Sequence, residues 1–101
     1  MTSHCVERWL PANEPSAEGH FPGNPIIPGA VLLREILRAI STDGGKMCRA
    51  VRSARFLHPV RPGDRLAIVW QAKANGEIGF TCSTGSPERD VLVGTLCVRA
   101  R

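Results

Sequence analysis

A chain of 101 residues with 43% hydrophobic and 22% charged residues is the size of one globular domain and is too apolar to be disordered. Its net charge is +4 and its isoelectric point is about 9.3, which fits an acidic partner as well as a merely solvated basic surface. No apolar run reaches the roughly 18 residues of a membrane-spanning helix, and residues 1–8 lack the apolar core of a signal peptide. We therefore expect a cytoplasmic protein without a membrane partner.

The cysteines and the basic residues exclude further classes of function. Four cysteines are scattered without a CxxC pair, which favours reduced thiols in the core over a metal site. Nucleic-acid binding would fit the charge, but there is no nucleic-acid motif and only five aromatic residues, none of them tyrosine. We expect no nucleic acid and no metal. The basic residues of the middle of the chain are Lys46, Arg49, Arg52, Arg55, Arg61 and Arg65.

The first elements are a short extended segment and a shaped loop. Residues 5–10 are predicted to be extended up to Pro11, and residues 12–18 to be a turn-rich connection. Residues 19–29 contain three prolines and three glycines, which excludes a regular helix and a central strand. Phe21, Ile26 and Ile27 make this loop unusually apolar, so part of it should be buried.

A helix is predicted directly after the loop, from about Ala30 to Ser41. Leu33, Ile36, Leu37 and Ile40 follow the helical i, i+3, i+4, i+7 spacing. The helix should end at residues 43–45, where a glycine can serve as the C-terminal cap. A rigid loop that brings one histidine, His20, to the start of a helix is typical of acid–base sites.

The second half of the chain is predicted to form four strands, over residues 47–56, 65–73, 77–83 and 90–99. The pair Asn75-Gly76 favours a type I′ hairpin turn between the second and third of them. One long helix followed by an antiparallel meander is an α+β layout. In the last strand, one face should carry Val91, Val93 and Thr95, and the other face Leu92, Leu96 and Val98.

The run from the histidine into the helix resembles the signature of the β-hydroxyacyl-acyl-carrier-protein dehydratases, which have the hot-dog fold. In that family a His-Phe-Pro loop leads through Pro-Gly into a long central helix, as His20-Phe21-Pro22 and Pro28-Gly29 do here. The match is close over residues 19–37 and looser over 51–100, where it includes a Pro-Gly-Asp turn.

The resemblance implies a single hot-dog domain over residues 1–101, with a curled antiparallel sheet wrapped around the helix. It also implies a minimal version of the family, without the N-terminal strand and lead-in helix of fuller members. Hot-dog sheets have open edges and are usually paired across a dimer, so we expect a homodimer or a higher even oligomer.

The resemblance also implies the site residues. His20 would be the base that removes the proton beside the thioester carbonyl, since a histidine with a pKa near 6.5 is mostly neutral at pH 7. The backbone N–H of Gly29 would stabilise the thioester oxyanion. Phe21 and Pro28 would contact the substrate, an acyl chain carried on the phosphopantetheine of acyl carrier protein or coenzyme A. No other cofactor is implied. His4 and His58 lack such a context and are expected to be structural or solvated.

The sequence departs from the family at the acid. The family places a carboxylate fourteen positions after the histidine, where this chain has Arg34, and a glutamine four positions later, where it has Arg38. Glu35 is the neighbouring carboxylate, but one residue is a rotation of about 100° on a helix. Three interpretations follow: a re-registered helix in which Glu35 is the acid, a partner protomer or a water that supplies the proton, or a site that no longer dehydrates and binds an anionic group through Arg34 and Arg38. A solvated helix face is the fourth interpretation.

The leading hypothesis is a β-hydroxyacyl thioester dehydratase with His20, Gly29 and Glu35 as catalytic residues, acting in fatty acid or related acyl-chain synthesis. The first alternative is a non-catalytic module that binds an acyl chain or an acyl carrier protein, or one subunit of a heterodimer. The missing carboxylate favours that alternative. A hot-dog thioesterase is the third hypothesis, although such enzymes usually lack this signature.

Overall fold

A computed structural model describes residues 3–10 and 26–100 as one helix packed against a five-stranded antiparallel sheet. The order of the strands in the sheet is β1-β3-β4-β5-β2. The sheet curls around the helix, as the α+β prediction required. The elements are β1 (Ser3–Trp9), α1 (Gly29–Gly44), β2 (Lys46–Phe56), β3 (Arg65–Ala72), β4 (Ile78–Thr84) and β5 (Arg89–Ala100).

The predicted four-strand meander is only partly correct. Strands β3, β4 and β5 form a meander, but β2 does not pair with β3 and instead crosses to the far edge beside β5. The strand β1 occupies the opposite edge and pairs with β3 over its whole length. The strand β1 confirms the extended segment predicted for residues 5–10 and begins two residues earlier. The helix packs on the concave face of the sheet, between the two edge strands.

The helix buries only part of the predicted stripe, because Ile36 and Ile40 are buried whereas Leu33 and Leu37 are half-buried. Ile36, Ala39 and Ile40 are almost completely buried, and they pack among inward side chains of the sheet such as Leu66 and Ile68. The helix begins one residue before the predicted start and continues three residues past the predicted end. Burial of this stripe, at about 25 cal/mol per Å² of apolar surface, is the main stabilisation of the domain.

The C-terminal end of the helix is fixed by three contacts. Gly45 adopts a left-handed conformation (φ 65°) and its N–H donates to the carbonyl of Ile40, which confirms the predicted glycine cap. Gly44 faces the indole of Trp70, where a Cβ would lie 3.0 Å from Nε1. The guanidinium of Arg8 on β1 pairs with the carboxylate of Asp43 at 2.9 Å. The helix end is therefore held to both β1 and β3.

Two local predictions about the strands are wrong. In the β3–β4 hairpin, Gly76 N–H donates to the Lys73 carbonyl and Lys73 N–H donates to the Glu77 carbonyl, so the loop has three residues and Gly76 is its left-handed residue (φ 87°). That is not the two-residue type I′ turn. In β5 an irregularity of the pairing with β4 falls at Val91, and this side chain is completely buried in the core together with Leu92. One extra residue shifts the alternation of faces.

Gly94 on β5 leaves room for the ring of Phe80, its partner on β4. A Cβ on Gly94 would meet Phe80 Cζ at 2.8 Å and would also collide with the carbonyl oxygen of Ser53. The ring is buried and the carbonyl belongs to the backbone, so neither can yield freely. We expect Gly94→Ala to lower the free energy of unfolding by about 2 kcal/mol, which is typical of overpacking.

Urea unfolding would measure this loss, with Gly79→Ala on β4 as the matched control. At Gly79 an added Cβ would meet only Cε of Lys73, the mobile end of a long side chain, at 3.1 Å. The control should change stability by less than about 0.5 kcal/mol. Equal losses in the two variants would contradict the packing described for Phe80.

A polar cluster on the sheet connects β2 to the β3–β4 hairpin. The Glu77 carboxylate accepts from the Cys97 thiol at 3.2 Å and from the Asn75 amide at 3.0 Å, and it pairs with Arg52 at 2.8 Å. The hydrogen bond from Cys97, followed by those from Asn75 and Arg52, lowers the pKa of Glu77. Glu77 therefore favours the folded state when it is ionised.

Because the pKa of Glu77 is lowered on folding, its contribution is present above the unfolded value of about 4.3 and is lost as pH falls through the folded value. We expect Glu77→Gln to destabilise the chain at pH 7 and to match the unchanged chain at a pH below the folded pKa. Chemical unfolding over a pH series would measure both. Glu88→Gln, which removes an exposed partner of Arg65 at 3.6 Å, should show little difference at either pH. A constant deficit of Glu77→Gln at every pH would contradict this assignment.

Candidate active site

The start of α1 presents unpaired backbone donors. The Pro28 carbonyl accepts from Val31 N–H at 3.0 Å and from Leu32 N–H at 3.3 Å, which closes the first turn. Within the described part of the chain, the N–H groups of Gly29 and Ala30 donate to nothing. Pro28 offers no side-chain cap, and the first turn contains no acidic residue. The positive end of the helix dipole is therefore uncompensated by the described residues and is suited to an oxyanion.

A glycine is needed at position 29 because an aromatic ring lies close to its Cα. A Cβ on Gly29 would lie 2.6 Å from Cε1 of Phe56, the last residue of β2. The Phe56 side chain is 54% exposed, so one face of its ring covers the helix start while the rest meets solvent. The close approach explains a glycine here without a positive φ, and it leaves the Gly29 N–H accessible beside an apolar surface.

An open cavity of about 560 Å³ begins at this helix start. Its walls come from the residues before the helix, from the first turn of α1 and from the segment that follows β2. Ile27 N–H donates to the buried Val60 carbonyl at 2.7 Å and so joins the residues before the helix to the segment that follows β2. The walls are apolar side chains for the most part, which suits an acyl chain. They include Ile26, Ile27, Leu32, Phe56, Leu57 and Val60.

His58 is exposed, as expected of a solvated histidine, and it lies in the same cavity wall as Gly29, which the sequence did not indicate. Its Nδ1 lies 2.9 Å from the carbonyl oxygen of Asp90 on β5. The expectation that His58 is structural or solvated rested on the absence of a motif around it. The available signal was one polar residue inside an otherwise apolar run, Leu57-His58-Pro59-Val60, directly after a strand.

The charged residues of the helix lie elsewhere. The Glu35 carboxylate is 3.8 Å from Arg34 Nη2 and 3.5 Å from Arg38 Nη1, so it lies between two guanidinium groups. Arg34 and Arg38 line a second groove of about 460 Å³, between α1 and the start of β2, together with Met47 and Cys48. Glu35 lines neither this groove nor the cavity at Gly29. Its role as the acid stays a prediction.

The two remaining loop residues are not placed. His20 and Phe21 lie outside the described ranges, so their assignments as base and substrate contact stay predictions. Pro28 is described and is the last residue before the helix. Of the sequence-predicted site, the structure thus places Pro28 and Gly29 at the cavity end of α1, and Arg34, Glu35 and Arg38 along its side.

Comparison with known proteins identifies the family. A family model described as "ApeI-like: ApeI dehydratase" matches residues 1–93. The chain belongs to the ApeI-like dehydratase family. A curated relative, the 3-hydroxyacyl-[acyl-carrier-protein] dehydratase FabZ of Rhizobium rhizogenes, is 35% identical over 102 residues, which cover 87% of this chain and 65% of that protein. The resemblance seen in the sequence is therefore confirmed. The chain spans about half to two thirds of the length of such curated relatives.

Solved structures confirm the hot-dog fold. The dehydratase heterocomplex ApeI:P from Xenorhabdus doucetiae matches with a TM-score of 0.77 at 18% identity, covering 98% of this chain and 88% of that one. The (R)-hydratase from A. caviae involved in PHA biosynthesis matches with a TM-score of 0.77 at 15% identity, covering 99% and 95%. In the described part of this family member, α1 is not long and apolar enough to span a membrane.

The close approach of Phe56 to Gly29 leads to a prediction. Gly29→Ala should force the ring aside and destabilise the chain by about 1 kcal/mol, because an exposed ring can turn at moderate cost. The same change in a Phe56→Ala background should cost much less. A double-mutant cycle by thermal unfolding would measure the coupling between the two positions. Equal costs in both backgrounds would show that the ring does not constrain Gly29.

Proposed function

We propose that this protein is a dehydratase that converts β-hydroxyacyl thioesters into enoyl thioesters and water, in fatty acid or related acyl-chain synthesis. The observation that carries the proposal is the pair of N–H groups of Gly29 and Ala30, which donate to none of the described residues and lie at an apolar cavity. The names of the curated relatives and of the family support the same reaction class.

The Gly29 amide would act on the thioester carbonyl. Removal of the proton beside this carbonyl places negative charge on its oxygen, and a fixed N–H at the positive end of a helix stabilises that charge without reorganisation. Phe56 and its neighbours form an apolar wall beside this N–H, and an apolar surrounding strengthens the interaction. The cavity is open at one side, so the acyl chain could enter while the carrier group stays in solvent.

His20 would be the base. Its place in the family signature, ahead of Phe21 and the Pro-Gly that begins the helix, supports this role. A neutral imidazole can take the proton next to the carbonyl while the Gly29 N–H holds the oxygen. No cofactor is needed beyond the phosphopantetheine of acyl carrier protein or coenzyme A. The exposed cations of β2 would suit the acidic surface of a carrier protein.

A dimer through the edge of β2 would complete the assembly. This edge strand pairs on one side only, with β5, and it exposes Met47 and Val51 as well as Phe56. Unpaired backbone groups and exposed apolar side chains on one strand favour association along that strand. A homodimer is the simplest such assembly. A different subunit is the alternative, and ApeI:P is itself a heterocomplex by name.

A binding module without catalysis is the second candidate function. The groove lined by Arg34 and Arg38 favours it, because two guanidinium groups beside the apolar Leu33 and Leu37 suit an anionic amphiphile. One of the two charges is balanced by Glu35, which leaves a net positive charge on this side of the helix. A thioesterase is the third candidate, and the assay below also detects its product.

A hydratase and dehydratase assay tests these functions. Wild type, His20→Ala and Glu35→Gln would be compared on β-hydroxyacyl thioesters of several chain lengths, following the enoyl product and free thiol together. We expect His20→Ala to lower kcat/KM by about 100-fold or more. His4→Ala is the matched control, because the His4 ring stacks on Trp70 and lines no part of the cavity at Gly29.

Each alternative result has a distinct meaning. Enoyl product from wild type that is unchanged in His20→Ala would remove the base from the proposal. Free thiol without enoyl product would favour the thioesterase. Neither product at any chain length would favour the binding module, which could then be tested with fatty acids and with acyl carrier protein. A loss of enoyl product in Glu35→Gln as large as that in His20→Ala would favour Glu35 as the acid.

A further inference from the structure

His58 is the one polar side chain among the described residues that line the cavity at Gly29. The others are aliphatic or aromatic, or are glycine and proline. A dehydratase site must contain a group that protonates the departing hydroxyl, and an apolar wall cannot supply that proton. His58 is therefore the described side chain in this cavity that could do so.

One hydrogen bond orients the His58 ring. A backbone carbonyl can only accept, so the 2.9 Å contact with Asp90 requires the proton on Nδ1. This leaves Nε2 as the nitrogen available to a substrate. The backbone is held on both sides of the ring, because Leu57 N–H donates to the Val91 carbonyl at 2.8 Å and the Val60 carbonyl accepts from Ile27. A ring oriented in this way is typical of a histidine that transfers protons.

We propose that His58 is the general acid of the dehydration, an inference that rests on the proposed function. In its protonated form, Nε2–H donates its proton to the β-hydroxyl as the carbon–oxygen bond breaks and water leaves. The electron pair of the broken Cα–H bond becomes the new Cα=Cβ bond, and the Cα proton passes to His20. Neutral His58 and protonated His20 then return to their starting forms by exchanging protons with water.

The charged residues of the helix are less suited than His58 to donate this proton. Arg34 stands where the family has its carboxylate, but a guanidinium does not give up its proton in proteins. Glu35 is engaged by Arg34 and Arg38 and lies outside the cavity that contains Gly29. His58, by contrast, lines this cavity, and its Nδ1–H donates to the Asp90 carbonyl, which leaves Nε2 for a substrate.

Comparing two leaving groups separates an acid from a base. The substrates would be N-acetylcysteamine thioesters of a β-hydroxy acid and of the matching β-fluoro acid, at the chain length that the wild type converts best. Fluoride is a much weaker base than hydroxide and departs without a proton, so its elimination needs the base and the oxyanion donor alone. The variants would be His58→Gln and His58→Arg, neither of which can donate a proton as an acid.

Both variants should lose about 100-fold or more in kcat for water elimination and less than about 5-fold for fluoride elimination. His20→Ala should lose both reactions, and His4→Gln should lose neither. The midpoint of thermal unfolding would show that each variant is folded; His58 is exposed, so both should be.

Other outcomes overturn the assignment. Full water elimination by either variant would exclude His58 as the acid, and equal losses of both reactions would make it a base or a structural residue. A selective loss of water elimination in Glu35→Gln instead would give the role to Glu35. If wild type eliminates fluoride but not water, the chain has no acid. If it eliminates neither, the proposed function itself fails, and this assignment fails with it.

Discussion

The hydrogen bond from Ile27 N–H to the Val60 carbonyl is the interaction on which the site depends. Both residues are almost completely buried, so breaking this bond would leave two polar groups without water and would cost about 1–3 kcal/mol for each. The bond joins the residues before α1 to the segment after β2, two parts of the chain that are distant in sequence. Because of it, the helix start and His58 lie in the walls of one cavity.

Much of the fold could be predicted from the sequence because the signals were local. Pro28 and Gly45 mark the two ends of the helix, and the apolar stripe between them is the buried face. The order of the strands could not be predicted, because the place of β2 on the far side of β5 depends on packing across the whole sheet and not on a local pattern of residues. The burial of Val91 was missed for a related reason, since one irregular residue in a ladder reverses the alternation of faces.

The candidate site was predicted only where a motif surrounded it. The Pro-Gly before the helix indicated Gly29 as an amide donor; its N–H donates to none of the described residues, and its role in catalysis stays a prediction. The place of His58 in the cavity wall was not foreseen, because its contact with the Asp90 carbonyl joins residues thirty-two positions apart in the chain. The pairing of Glu35 with two arginines was not foreseen either, although the spacing of Glu35 and Arg38 permits an ion pair on one helix face.

The charges of the edge strand β2 also affect how two copies of the chain can associate. All four charged residues of this strand are cations, and among the described ion pairs only Arg52 is neutralised, by Glu77. If two copies of the chain paired through the open edges of β2, these cations would lie close together. Like charges directly opposite each other on paired strands repel. Natural sheets use such charges to prevent runaway aggregation. In a dimer paired along β2 the same repulsion would oppose the apolar contacts of Met47, Val51 and Phe56, so the pairing should tighten at higher ionic strength, where the charges are screened.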